Sequence, residues 1–261
     1  MLPLTLSVVS HGHGPLLRRM LGQLDAEPSL AGLPVLVTLN QPGETLDAGA
    51  YRSLRVTLIR NERPQGFGAN HNAAFRRCAT PWFGVVNPDL ALRDGEPFSR
   101  LIASAQAQEK VGIVAPRVVT AEGLPEDSVR ANLTPSSLLA RYLLSRRAPL
   151  NVSRPARRGA AFYWLAGMCM VLDSHAFAAV GGFDERFFLY CEDYDLCARL
   201  YNAGYAIILE RAAQIVHDAR RDSRRSLRHL RWHVASLLKV WCSAAFWRVT
   251  LTGEGRPATA R

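Results

Sequence analysis

The segment Phe183-Asp-Glu-Arg-Phe-Phe-Leu-Tyr-Cys-Glu-Asp-Tyr-Asp-Leu-Cys-Ala-Arg-Leu200 gathers Glu192, Asp193 and Asp195 among aromatic residues. A helix beginning near Cys191 would set Asp193, Leu196 and Leu200 on one face and Glu192, Asp195 and Arg199 on the adjoining one. Asp193 then lies towards the interior at a helix N-terminus, and Asp195 faces outward to Arg199. Burial and like charge raise a carboxylate's pKa while the helix terminus lowers it, a balance suited to a general base. The same residues also describe an acidic first turn that only caps a helix.

Val85-Val-Asn-Pro-Asp89 places another carboxylate just past an apolar run, with Pro88 rigidifying the turn. A hard divalent cation bridging phosphates takes such a carboxylate and fills its other positions with phosphate and water; read alone, Asn-Pro-Asp is also an ordinary turn. Asn61-Glu-Arg-Pro-Gln-Gly-Phe-Gly-Ala-Asn-His-Asn72 follows a strand-like run and opens a helical one, where free backbone N–H groups favour an anion or a polar ligand. Its glycines do not have the dinucleotide GxGxxG spacing, and they equally suit a plain β–α turn. His217 follows Gln214-Ile-Val216 and could complete a metal site begun by Asp89 or be a structural histidine.

Positioning these groups requires a frame. Short apolar runs at 4–9, 35–39, 56–59, 82–86 and 111–115 alternate with helical patterns at 16–24, 69–78 and 98–108. That alternation marks βαβ units on a mostly parallel sheet, whose ligands collect at the carboxyl ends of strands. Residues 117–160, with Pro125, Pro135, Pro149 and Pro155, read as an insertion that is ordered either by itself or by ligand. Beyond it the pattern gives a strand over 162–172, a helix over 187–203, short strands at 206–209 and 213–216, and a basic helical tail over 224–249.

The chain has 261 residues, 48% of them hydrophobic, which excludes disorder throughout and allows a sizeable core. Lys and Arg number 32 against 22 Asp and Glu, a net +10 that suits phosphates, lipid headgroups or nucleic acid. The charge is concentrated: 141–158 holds six arginines and no acid, and 217–261 holds ten basic and three acidic residues. Nucleic acid is disfavoured, because the first patch offers only Tyr142 for stacking. Five cysteines without a CxxC pair argue against a disulfide framework or a zinc ribbon, and fit a reducing compartment. The apolar N-terminus lacks a basic n-region and reads as a buried strand, so a cytoplasmic protein is expected. From Trp232 to Leu251 the apolar run is interrupted by His233, Lys239 and Arg248, so membrane contact would be peripheral, at the inner face of the cytoplasmic membrane. Arg224, Arg225, Arg228 and Arg231, interleaved with Leu227, Leu230 and Trp232, suit an anionic lipid surface, or else a helix packed on its own domain.

Taken in order, Leu6-Ser-Val-Val-Ser10, the Asn61–Asn72 loop with Gly66 and Gly68, Asn87-Pro-Asp89, Trp164-Leu-Ala-Gly167, Gly181-Gly-Phe-Asp-Glu-Arg-Phe-Phe-Leu-Tyr-Cys-Glu-Asp-Tyr-Asp-Leu196 and His217 resemble a family-2 glycosyltransferase of the rhamnosyltransferase-like branch. The resemblance implies an α/β nucleotide-diphospho-sugar transferase (GT-A) fold, with a mostly parallel Rossmann-like sheet and a C-terminal amphipathic helix. It implies a domain at 1–218, comprising a nucleotide-binding half (1–116), an insertion (117–160) and an acceptor and catalytic half (161–218), followed by a basic tail at 219–261. Asp89 would hold Mg²⁺ or Mn²⁺ against the diphosphate, with Asn87 replacing the first acid of the usual pair and His217 joining the metal. Ser10, Asn40, Gly68 and Asn72, with Asn87 and Asp89, would bind the nucleoside-diphosphate sugar. Asp193 would be the catalytic base, and Trp164, Gly167 and Glu192 would line the acceptor site. The implied activity is inverting transfer to a hydroxyl of a glycan or lipid-linked acceptor in surface-polysaccharide biosynthesis. Two departures alter the nucleotide pocket: His11-Gly-His13 follows the first strand where a Tyr-Asn pair is usual, and the second ends Thr38-Leu-Asn40 without an acid. They leave a non-catalytic sugar-nucleotide-binding protein as the alternative.

Overall fold

The computed structural model describes residues 1–93, 95–143, 150, 152–217 and 227–252. The first half follows the alternation: β1 (Leu4–Ser10), α1 (Gly14–Asp25), β2 (Pro34–Leu39), β3 (Arg55–Arg60), α2 (Phe67–Phe75), β4 (Trp82–Val86), β5 (Leu90–Ala91), α3 (Phe98–Gln106) and β6 (Val111–Val119). Strands β1, β2 and β4 are buried nearly throughout, which is why they read as continuous apolar runs. Helix α1 covers them with Leu17, Met20, Leu21 and Leu24, the i, i+3, i+4, i+7 stripe of an amphipathic helix.

The second half adds β7 (Val129–Ala131), α4 (Pro135–Leu143), β8 (Tyr163–Leu165), β9 (Cys169–Asp173), α5 (Ser174–Ala179), α6 (Glu192–Asn202), β10 (Ala206–His217), α7 (Leu227–Trp241) and α8 (Ala244–Leu251). Eight strands form one sheet in the order β3-β2-β1-β4-β9-β6-β10-β5, and β7 pairs with β8 in a small second sheet. Strands β1 to β4 run parallel, as do β6 and β10, while β9 is antiparallel to both its neighbours. The parallel pairing thus brings the ends of β1, β2 and β4 to one rim, and β9 joins that rim to the half carrying Asp193.

Several elements differ from the sequence expectation. The strand expected over 162–172 is two strands in different sheets, because the chain turns at Ala166–Met168 and the Gly167 N–H leaves the ladder for a side chain of α6. The helix expected from 187 starts at Glu192, because Tyr190 and Cys191 hold φ of 74° and 65°. The two short strands at 206–209 and 213–216 are one strand, β10, irregular between Glu210 and Gln214. Within the 117–160 insertion, β6 continues to Val119, and β7 and α4 are formed; 144–149 lie outside the described residues. Helices α7 and α8 return to the core, where Val240, Phe246 and Val249 are almost fully buried, each such side chain contributing about 1.5–3 kcal/mol.

Candidate active site

The turn Asn87-Pro-Asp89 leaves β4 and enters β5, and β5 pairs with the end of β10 in a register that sets His217 opposite Leu90. Asp89 and His217 therefore meet, Oδ2 to Nε2 at 3.2 Å. Glu126 closes the other side of the ring, Oε2 to Nδ1 at 2.8 Å. Burial disfavours a charged imidazole here, but hydrogen bonds and charge from Asp89 and Glu126 outweigh it and raise the pKa to about 9. Both ring nitrogens thus engage carboxylates: His217, expected to join the metal, bridges Asp89 and Glu126 and so fixes Asp89. Asp89 itself fits a cation, since its Oδ1 is buried without a hydrogen-bond partner, and an oxygen so placed suits a hard ion. Among the described residues no group of three His, Cys, Asp or Glu side chains is arranged to hold a metal ion by itself, so phosphate and water would supply the other ligands.

At the rim formed by β1 to β3, Asn40 Oδ1 accepts from Asn61 Nδ2 and from the Gln65 N–H, both at 2.8 Å. Asn61 Nδ2 also donates to Asn70 Oδ1 at 2.7 Å, so three asparagines lock the glycine loop against the strand ends. Ser10 Oγ donates to Glu44, whose other oxygen accepts from the Gly12 N–H at 3.3 Å. Glu44 thus brings a carboxylate to a rim whose second strand ends without one. Below it His71 is buried with Nδ1 2.8 Å from Ser7 Oγ, and burial pushes its pKa down to about 3, so it is neutral.

Two residues expected to hold the donor pack against the frame. Asn72 Nδ2 donates to Phe183 O at 2.8 Å and its Oδ1 accepts from Phe183 N–H at 2.9 Å, which spends the amide on the chain leading to α6. At Gly68 a Cβ would come within 2.7 Å of Phe183 Cβ, so the glycine permits close packing there. At Gly66 a Cβ would stand 2.8 Å from Phe188 O, and the next N–H, of Phe67, donates to that same oxygen at 2.9 Å. The glycine loop and the approach to α6 are therefore one contact surface.

Asp193 occupies the first turn of α6. Its Oδ2 accepts from the Gly167 N–H at 3.0 Å and its Oδ1 from the Tyr194 N–H at 2.8 Å. Burial raises its pKa, against the lowering effects of Arg130 and of these N–H groups. The left-handed Tyr190 and Cys191 aim this turn, at a cost of about 1–3 kcal/mol each. They are held by Tyr190 Oη 2.8 Å from His229 Nδ1 and by Ser236 Oγ donating to Leu189 O at 3.0 Å.

Of the residues expected to line the acceptor site, Gly167 is partly exposed, whereas Glu192 and Trp164 are buried. Glu192 is 5% exposed, and burial beside Asp193 drives its pKa well up. Trp164 is 3% exposed; its Nε1 donates to Ala131 O at 2.8 Å, and its ring carries the Arg130 guanidinium 5.0 Å from the centroid. Asp195, expected to face outward, is 4% exposed: Arg199 Nε meets it at 2.7 Å and a terminal nitrogen of Arg199 donates to Val180 O, so the pair seals the loop after α5. A cavity of about 540 Å³ beside this pair, between α6 and α8, contains none of the Asp89, Asp193 or asparagine groups.

Sequence reading missed Glu126, Arg130 and Glu44. Arg130 is placed by the β7–β8 register opposite Trp164 and tied to Asp127 Oδ2 at 3.2 Å. No local pattern marked it, because its value arises from pairing across 34 residues of chain.

Residues 3–235 match the sequence profile described as glycosyltransferase-like family 2. The chain belongs to that family. It is 25% identical over 240 residues to rhamnosyltransferase WbbL of Escherichia coli K12, covering 89% of this chain and 90% of the relative. It is 28% identical over 249 residues to the N-acetylglucosaminyl-diphospho-decaprenol L-rhamnosyltransferase of Mycobacterium tuberculosis (strain CDC 1551 / Oshkosh), covering 86% and 79%. The fold matches that of mannosyltransferase PcManGT from Pyrobaculum calidifontis, solved with GDP-Man and Mn²⁺, with a TM-score of 0.65, 15% identity, and coverage of 97% of this chain and 69% of that one. This family-2 member is therefore a glycosyltransferase with the GT-A fold and rhamnosyltransferase relatives. Among its described residues no single helix is long and apolar enough to cross a membrane.

Proposed function

We propose that this transferase moves a sugar, with inversion, from a nucleoside diphosphate to a hydroxyl of a lipid-linked glycan in surface-polysaccharide assembly. The observation that carries the reading is Asp193: each carboxylate oxygen takes one backbone N–H, which fixes the group and leaves each oxygen a lone pair for a proton. Asp193 accepts the acceptor's hydroxyl proton as that oxygen bonds to the anomeric carbon, and the bond from that carbon to the diphosphate breaks on the opposite face. Asp89 Oδ1 would hold the divalent cation, Mg²⁺ or Mn²⁺, which when bound supplies charge to offset the departing diphosphate.

The lipid-linked acceptor is supported by the relative named for a diphospho-decaprenol, and the rhamnosyltransferase relatives make rhamnose the first donor sugar to test. Contact with an anionic surface at the inner face of the cytoplasmic membrane through Arg224, Arg225, Arg228 and Arg231 belongs to the same reading. Arg224 and Arg225 lie outside the described residues, and Arg231 is exposed. The cysteines at 78, 169, 191, 197 and 242 are free, in keeping with a reducing compartment. Incubation with a panel of nucleoside-diphosphate sugars and a prenyl-diphosphate-linked sugar should give a product of inverted anomeric configuration by NMR; retention would overturn the mechanism, and transfer to water alone would overturn the acceptor.

Arg130 supplies a pH prediction. Its charge opposes the upward pull of burial on Asp193, so Arg130→Met should raise the Asp193 pKa. A base is active above its pKa, so the acid limb of the kcat/KM profile should move to higher pH and activity below neutrality should fall. An acid limb that stays in place would remove Arg130 from this role.

A further inference from the structure

Helix α7 faces two ways. On its inner side Ser236 and Val240 are buried, Ser236 holds Leu189 O, and Trp232 stacks on Phe188 with ring centroids 4.9 Å apart. That side grips the loop 186–190, which leads directly into Cys191 and Asp193. On its outer side Leu230, Val234 and Leu238 are 58%, 48% and 54% exposed and follow one another at i, i+4 and i+8, a single apolar row along the helix. Helix α8 repeats the device, with Trp247 and Leu251 exposed one turn apart and Arg248 between them. Isolated exposed apolar residues need no explanation, but rows on two consecutive helices form a surface that wants a partner.

The charge selects the partner. Between 227 and 252 there is no Asp or Glu, and Arg231 and Arg248 are exposed beside the apolar rows, while Lys239 donates to Arg186 O in the loop held by the inner side. A second copy of this face would set cation against cation, whereas an anionic bilayer takes the apolar row into its acyl boundary and the arginines among its headgroups. Residues from His229 to Trp241 together with α8 are apolar enough to match a membrane span in length and composition, but the 62° bend between them and the burial of Val240, Phe246 and Val249 leave only their outer faces for lipid. We propose that the outer row of α7, with Trp247 and Leu251 of α8, seats the protein on an anionic lipid bilayer, while the inner side of α7 holds the loop into Asp193. Resting on the lipid-linked acceptor reading, this places the base near the surface from which such an acceptor's sugar projects.

The test is flotation with phosphatidylglycerol/phosphatidylcholine vesicles and with phosphatidylcholine vesicles, comparing the wild type with Leu230→Ser/Val234→Ser/Leu238→Ser. These side chains are exposed, so the melting temperature and Mn²⁺-dependent nucleoside-diphosphate binding should be unchanged and serve as controls. The variant should lose at least about tenfold in binding to anionic vesicles, as an amphipathic helix stripped of its apolar face does. Equal binding by variant and wild type, no wild-type binding to either vesicle, or a wild-type dimer in solution that the substitutions dissolve would each overturn the proposal. Loss of transfer chemistry in a protein that still floats would instead count against the proposed reaction, so the two failures are distinguishable.

Discussion

Asp193→Asn should bind donor and metal with near-native affinity yet transfer sugar about 10²–10⁴-fold more slowly, the range that general-base catalysis supplies. The amide keeps the shape and can still accept the Gly167 and Tyr194 N–H groups through its oxygen, but it has no basicity to take a proton from the acceptor. The loss should appear in kcat, with donor affinity by calorimetry as the control. Asp195→Asn provides the contrast. Asp195 is also a carboxylate but is buried against Arg199, so its substitution weakens a structural pair and should lower the melting temperature by the equivalent of about 1–3 kcal/mol, while the folded fraction keeps turning over. A stable but dead Asp195 variant beside an active Asp193 variant would reverse the assignment.

The contrast between these two aspartates shows what a sequence can carry. Strand β4 is legible to the residue, and β1 to β3 within one residue at their ends: β1, β2 and β4 because strands buried on both faces are written as unbroken apolar runs, whereas β3, at the sheet edge, alternates exposed and half-buried residues along most of its length. The i,i+4 pairing of Asp195 with Arg199 was legible too, since helix geometry is local. Its burial was not: the covering segment, ending at Val180, is brought there by α5 and β9, and no periodicity within α6 reports on it. The same limit hid Glu126, which meets His217 across 91 residues, from an irregular proline-rich stretch with no alternating pattern. His217 and Asp89 were individually visible as polar residues at strand ends, but the β5–β10 register that makes His217 a bridge is a property of the sheet. Likewise Gly68 and Asn72 stood in a loop of the right composition, and only Phe183, more than a hundred residues away, shows that they serve the frame.

Asp89→Ala should abolish the part of nucleoside-diphosphate binding that depends on Mn²⁺. Ligand at about a hundred times its Kd stabilises a folded protein by about 2.7 kcal/mol, which for a domain of this size is a rise of roughly 5–10 °C in melting temperature. In the variant the rise with nucleotide and Mn²⁺ together should fall to that with nucleotide alone, and chelator should reproduce the loss in the wild type. The fold should survive, because Glu126 still holds His217 at 2.8 Å and β5 is paired through its backbone. His217→Ala separates support from coordination. If His217 only aims Asp89, its loss lets the carboxylate rotate and weakens the metal-dependent rise without removing it, since Oδ1 remains to meet the cation. Complete loss in the His217 variant would make the imidazole a ligand after all, and an unchanged rise in the Asp89 variant would move the cation elsewhere.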